Sequence, residues 1–191
     1  MSSDHNPRVR AATADRWEDV AAVMRGRGDP SRCWCQFFRL RARDWRSASP
    51  AANRTRLRRQ VQDADHAPGV LAYIDEQPVG WCAVAPKACY PRVVASKVAG
   101  AEQDGVWSVT CFVVRVGWRR RGVATALLEG AVELARSAGA SVVEAYPVDP
   151  DARSTVSSAE LYHGPLSVFL DAGFREVRRS SPARALVQQK L

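Results

Sequence analysis

The run Arg119-Arg120-Arg121-Gly122-Val123-Ala124 has the chemistry of an anion cradle. Three successive guanidinium groups supply charge-assisted hydrogen bonds, and the small residues Gly122 and Ala124 leave the main chain open to a ligand's oxygens. Before the run stand Phe112, Val113 and Val114, which read as a buried strand. After it, Val123, Leu127, Leu128, Ala131, Leu134 and Ala135 recur at helical spacing and predict a helix facing a core. A turn between such elements presents the unpaired N–H groups and the positive dipole end of the helix, which suits a diphosphate. The alternative is an ordinary strand-to-helix turn carrying solvated arginines.

The elements that must hold this turn are legible in outline. Residues 8–13 read as a first strand, with Asp15 as a helix N-cap and a helix over 16–25 closed by Gly26 and Gly28. Residues 32–40 form an aromatic-rich segment without a clear period, and Pro50 opens a charged helix to about residue 64. Strands are predicted at 69–74 and 78–84, joined by the short loop Asp75-Glu76-Gln77. Residues 85–105 read as a loop with at most a helical turn. The cradle strand then starts near Val106, and its helix ends near Gly139. Residues 141–146 make another strand and 147–155 a polar loop; a helix over 165–172 stops at Gly173, and strands follow at 174–178 and 185–189. Hairpins mixed with parallel crossovers predict an α/β fold with a mixed central sheet covered by helices on both faces.

With 191 residues, 46% of them hydrophobic, the chain suits one domain, taken as 8–191 after a disordered 1–7. The formal net charge of +8 is almost wholly arginine, since only Lys87, Lys97 and Lys190 are lysines. Such a balance fits nucleic acid, an anionic membrane or a small polyanion, and charge alone does not choose. No RNP-type motif, zinc finger or helix-turn-helix signature accompanies it, so no nucleic-acid partner is expected. Neither an apolar stretch of spanning length nor a signal-peptide segment is present, which predicts a cytoplasmic protein without a membrane partner. Five cysteines, an odd number, read as free thiols, and Cys33-Trp34-Cys35 lacks the second ligand pair a zinc site needs, so no metal is expected.

Arg119, Gly122 and Ala124 match the signature of the GNAT family of acyl-coenzyme A-dependent N-acyltransferases, and the chain resembles that family in its order of elements from about residue 8 to 189. A second landmark, Leu166-Ser167-Val168-Phe169-Leu170-Asp171-Ala172-Gly173-Phe174, looks like the family's final helix and its Gly-Phe exit. The resemblance implies acetyl-coenzyme A as donor and a primary amine as acceptor, attacking directly in a ternary complex. It places Arg119, Arg120, Arg121, Gly122, Val123, Ala124 and Thr125 around the diphosphate. The main chain of Phe112, Val113 and Val114 would lie along the pantetheine arm. A non-catalytic acyl-coenzyme A-binding module is the alternative.

Acyl transfer also needs a group to take the amine's proton and one to protonate the departing thiolate. Glu144 interrupts the apolar Val142-Val143-x-Ala145 and is the first candidate base, either acting through water or merely paired with an arginine; Asp149 and Asp151 are weaker alternatives. Many members carry a tyrosine four residues before the final glycine, and here Phe169 stands there. Tyr162 is the candidate acid instead, with Ser167 and His163 as others, or a packed loop residue. For the acceptor pocket the resemblance directs attention to Trp34, Gln36, Phe37, Phe38 and Arg39 and to Tyr90 and Arg92. Trp34 and Phe37 would form an apolar wall, with Gln36 and Arg39 orienting a polar or carboxylate group; the same residues also suit an aromatic cluster pinning a helix pair. Cys111 reads as packing, not as an acylated nucleophile. Late strand edges are able to pair between chains as a homodimer.

Overall fold

Alternation along the strands and an apolar stripe on one long helix assemble a seven-stranded sheet with helices on both faces. The computed structural model describes residues 6–26, 28–96, 100, 104–152 and 160–191. Residues 1–5 of the segment expected to be disordered, 97–99 and 101–103 of the loop expected at 85–105, and 153–155 of the loop expected at 147–155 lie outside them. Strands β1 (Arg8–Ala11), β2 (Gly69–Ile74), β3 (Gln77–Pro86), β4 (Val106–Val114), β5 (Val142–Ala145), β6 (Arg175–Ser181) and β7 (Arg184–Lys190) lie in the order β1-β2-β3-β4-β5-β7-β6. Every neighbouring pair is antiparallel except β4 and β5, so the mixed α/β sheet expected from the sequence is present.

The helices are α1 (Trp17–Met24), α2 (Asp29–Cys33), α3 (Ala42–Arg46), α4 (Pro50–Asp63), α5 (Pro91–Val94), α6 (Val123–Ser137) and α7 (Leu166–Asp171). Val70, Ala72 and Ile74 of β2 join one core with Val123, Leu127, Leu128 and Ala131 of α6 and Phe169 of α7. Leu71 joins the opposite core with Trp17 and Val20 of α1 and Leu57 and Val61 of α4. This is the period of two that a sheet buried on both sides imposes. Gly80 lets α6 lie close on the sheet, because a Cβ there would stand 2.8 Å from Val123 Cγ1 and 3.0 Å from Leu127 Cδ1. Fully burying Leu127 and Leu128 contributes about 2–3 kcal/mol each, and it fixes the start of α6 over the end of β4.

Local differences from the sequence reading have physical reasons. Asp15 sits inside a 3₁₀ turn (Ala14–Arg16) and is not the cap of α1, since its carboxylate accepts from Thr13 Oγ1 at 2.5 Å. The hairpin connection is two residues, with Asp75 and Glu76 both left-handed at φ 49° and 61°, the geometry whose twist matches the flanking strands although neither is glycine. The loop expected at 85–105 holds a 3₁₀ turn (Lys87–Cys89) and α5. β6 runs longer than expected because it is exposed along nearly its whole length, so no burial alternation marks its end in the sequence.

Candidate active site

Between β4 and α6 the chain makes a turn that ends in two left-handed residues, Arg120 at φ 61° and Gly122 at φ 72°. The turn is anchored by Arg115 N–H donating to Val79 O at 2.9 Å and Trp118 N–H to Arg115 O at 3.0 Å. Among the described residues, no carbonyl accepts from the N–H groups of residues 119–125; the first main-chain bond at the helix start is Ala126 to Gly122 O at 3.0 Å. These are the orphan donors of a helix N-terminus, and the space where Gly122 would carry a side chain is open. Arg119, Arg120 and Arg121 are exposed; Arg119 Nε donates to Val114 O at 3.4 Å and Arg121 lies 5.1 Å over the Trp118 ring. Val123 is buried under the turn, while Ala124 and Thr125 line the first helical turn. The donor set fits a diphosphate.

β4 then offers a second surface. It pairs with β5 only from Val106 to Val109, yet continues to Val114, leaving the β5-facing edge of residues 110–114 without a strand partner among the described residues. The chain after β5 is drawn away, because Val148 bridges to Pro165 and to Arg184. The β3–β4 register also slips between Ala83 and Val84, leaving Thr110 without a β3 partner opposite it, and such a bulge bends a strand. Phe112 points into the α6 core and meets Phe169 edge to face at 5.9 Å, whereas Val113 and Cys111 face the α1 and α4 side. Phe169, at the position where a tyrosine is common, is fully buried.

Glu144 sits where the two strands part, and it is fully buried. Its Oε1 pairs with Lys87 Nζ at 3.0 Å and accepts from Ser108 Oγ at 3.2 Å and from the Tyr146 hydroxyl; Oε2 accepts from Gln188 Nε2 at 3.3 Å. Lys87 Nζ also donates to Gly100 O at 2.8 Å. The sequence offered an arginine as the pairing partner, but the counter-ion is this buried lysine. Direct contact of the Glu144 carboxylate with an acceptor is closed off, and its outward link is Tyr146. Tyr146 belongs to the same apolar cluster as Tyr90 and Phe38.

Tyr162 lies in a 3₁₀ turn (Glu160–His163), with Phe38 at 6.2 Å and His163 at 4.1 Å between ring centroids. Burial raises its phenol above the ordinary value, and Arg184 beside it pulls the other way. Burial pushes His163 down to about 3, so its ring is neutral, and among the described residues its Nδ1 has no hydrogen-bond partner. On the other side of the site, Trp34 and Cys35 are left-handed at φ 48° and 52°. Trp34 stacks on Trp17 at 6.2 Å, and Gln36 exchanges two amide hydrogen bonds with Gln60 at 3.0 and 3.1 Å. Both are buried, their contacts directed to α1 and α4. Phe37 and Arg39 are half-buried and face outward: Phe37 takes Arg92 at 4.1 Å, and Arg39 lies 4.8 Å over Tyr90.

Lys87, Tyr146, Ser108, Gln188 and Arg184 were not singled out from the sequence. The one available signal was Lys87 itself, a rare lysine in a chain that otherwise uses arginine.

The sheet, the turn into α6 and the parting of β4 from β5 define a mixed α/β protein with unpartnered helix-start amides beside the cleft where the two strands separate. The chain belongs to the acetyltransferase (GNAT) family, whose model matches residues 34–160. No curated protein matches the sequence. Among solved structures the fold is similar to the GNAT domain of S. lividans PAT (22% identity, TM-score 0.56, covering 97% of this chain and 90% of that one). It is also similar to a GNAT-family acetyltransferase from Listeria monocytogenes (10%, TM-score 0.58, 97% and 95%). A third is the PaiA N-acetyltransferase from Thermoplasma acidophilum in complex with coenzyme A (11%, TM-score 0.54, 97% and 99%). No helix among the described residues is long and apolar enough to cross a membrane.

Proposed function

We propose that the chain transfers an acetyl group from acetyl-coenzyme A to a primary amine by direct attack in a ternary complex. The observation that carries this is the junction of unpartnered amides at the start of α6 with the unpaired edge of β4. Family membership and the coenzyme A complex of the PaiA relative support the choice of donor. Acetyl-coenzyme A brings an activated thioester carbonyl and a thiol leaving group. Residues 119–125 hold its diphosphate, and the main chain of Phe112, Val113 and Val114 aligns its amide arm as an added strand would. Tyr146 takes the amine's proton while passing its own to Glu144, a relay supported by the hydrogen bond between them. Tyr162 keeps a proton for the departing sulfur beside Arg184.

A covalent route through Cys111 finds little support. Its Sγ lies against its own strand, donating to Phe112 O at 3.9 Å. The free cysteines support a reducing, cytoplasmic setting, and a sheet that takes strands from Arg8 to Lys190 supports one domain over 8–191. The second reading, a binding module that does not turn over its ligand, draws on Phe169 being locked into the core. Thiol release from acetyl-coenzyme A across an amine panel separates the two. Release that falls about 10²-fold in Tyr146→Phe at unchanged coenzyme A affinity upholds catalysis through the relay. Tight coenzyme A binding with no release for any amine upholds the module.

A further inference from the structure

We propose that the acceptor is a small amine that also carries an anionic group, a carboxylate or a phosphate. This rests on the acyl-transfer reading of the same site. The half-buried Cys111 of β4 packs in the cluster that holds Cys35, and the 3₁₀ turn carrying Tyr162 lies against β4. Arg39 stacks on Tyr90 at 4.8 Å; Arg184, bridged through its backbone to Val148, stands by Tyr162. Two guanidinium groups therefore flank the stretch of β4 where an acceptor meets the thioester. Arg92 adds a third at the rim, held by Nε donating to Leu40 O at 3.0 Å and by stacking on Phe37.

Among the described residues, no carboxylate comes within 4.0 Å of Arg39, Arg92 or Arg184. The acids of the neighbourhood are committed elsewhere: Glu144 to Lys87, Asp149 to Arg179 at 2.7 Å, and Glu160 to an interaction of its own. Cys33 and Cys35 keep their protons and His163 is neutral, so among the described residues these groups add no negative charge beside the cations. All three are half-buried, which removes part of their hydration, and a guanidinium recognises a carboxylate or phosphate through paired N–H donors. The surrounding aromatic rings suit an apolar body between the two charges. A polyamine would place cation against cation.

The test uses the full chain, acetyl-coenzyme A and matched pairs of amines: phenylalanine against phenethylamine, and phosphoethanolamine against ethanolamine, with spermidine as a cationic reference. The expected result is a kcat/KM at least about tenfold higher for the anionic member of one pair, the pair itself telling carboxylate from phosphate. That ratio falls toward one in Arg39→Gln and in Arg184→Gln, and inverts in Arg39→Glu. Equal or better turnover of the neutral members or of spermidine overturns the proposal and leaves acyl transfer standing. If no amine releases thiol, acyl transfer is what fails. Calorimetric binding of the same pairs to the coenzyme A-saturated protein then decides: an Arg39-dependent preference for the anionic member upholds the acceptor class, and no preference overturns it.

Discussion

Lys87 and Glu144 each expose about 1% of their side chain and neutralise one another inside the sheet, so neither tolerates loss of the other. Glu144→Gln removes the carboxylate paired with the buried Lys87 ammonium, and the expected loss of stability is about 3–5 kcal/mol, read from chemical denaturation. Combining it with Lys87→Met should restore much of that loss, whereas a purely catalytic Glu144 would show reduced kcat at wild-type stability and no rescue. His163 gives a separate pH signature. Its folded value is depressed to about 3 from 6.5, so between those values the unfolded chain binds the extra proton and stability falls as pH falls. At about pH 5 the loss attributable to this ring is about 2 kcal/mol relative to neutral pH. His163→Phe should flatten the melting temperature over that range; an unchanged profile would show that the ring titrates normally.

At the level of elements, the cradle depends on a left-handed residue leading into α6. A Cβ at residue 122 meets no neighbouring atom, so with Gly122→Val the fold should survive with a backbone penalty of about 1–2 kcal/mol. The added branch stands where oxygens must reach the amides, and the KM for acetyl-coenzyme A is expected to rise at least about tenfold, measured by thiol release. Equal KM in the variant would place the diphosphate elsewhere. This element was legible because its signals are local: a helical stripe from Val123 to Ala135 and a Gly-Val-Ala entry are written in adjacent residues. The acceptor side was less legible. Trp34 and Gln36 look like pocket residues by type, but their neighbours Trp17 and Gln60 come from other helices, and sequence spacing carries no record of that meeting.

Across the whole molecule, the distant partnerships are what escaped the sequence. Lys87, just past the end of β3, reaches Glu144 on β5 across β4, and Arg184, at the start of β7, stands by Tyr162; neither meeting is written in adjacent residues. The net charge of +8 acts at the same scale. Long-range attraction should speed capture of a polyanionic donor, so the association rate of acetyl-coenzyme A is expected to drop several-fold between about 0.05 and 0.5 M salt, with a smaller change in dissociation, by stopped-flow fluorescence. A salt-independent rate would leave the arginines without a steering role. The four-residue parallel seam of β4 and β5 also divides the backbone by time. Amides of Val142–Ala145 lie inside the sheet and should exchange with deuterium only on global opening, whereas N–H groups on the free edge of residues 110–114 exchange within seconds until a ligand covers them. The boundary between slow and fast hydrogens would then trace the mouth of the cleft in solution.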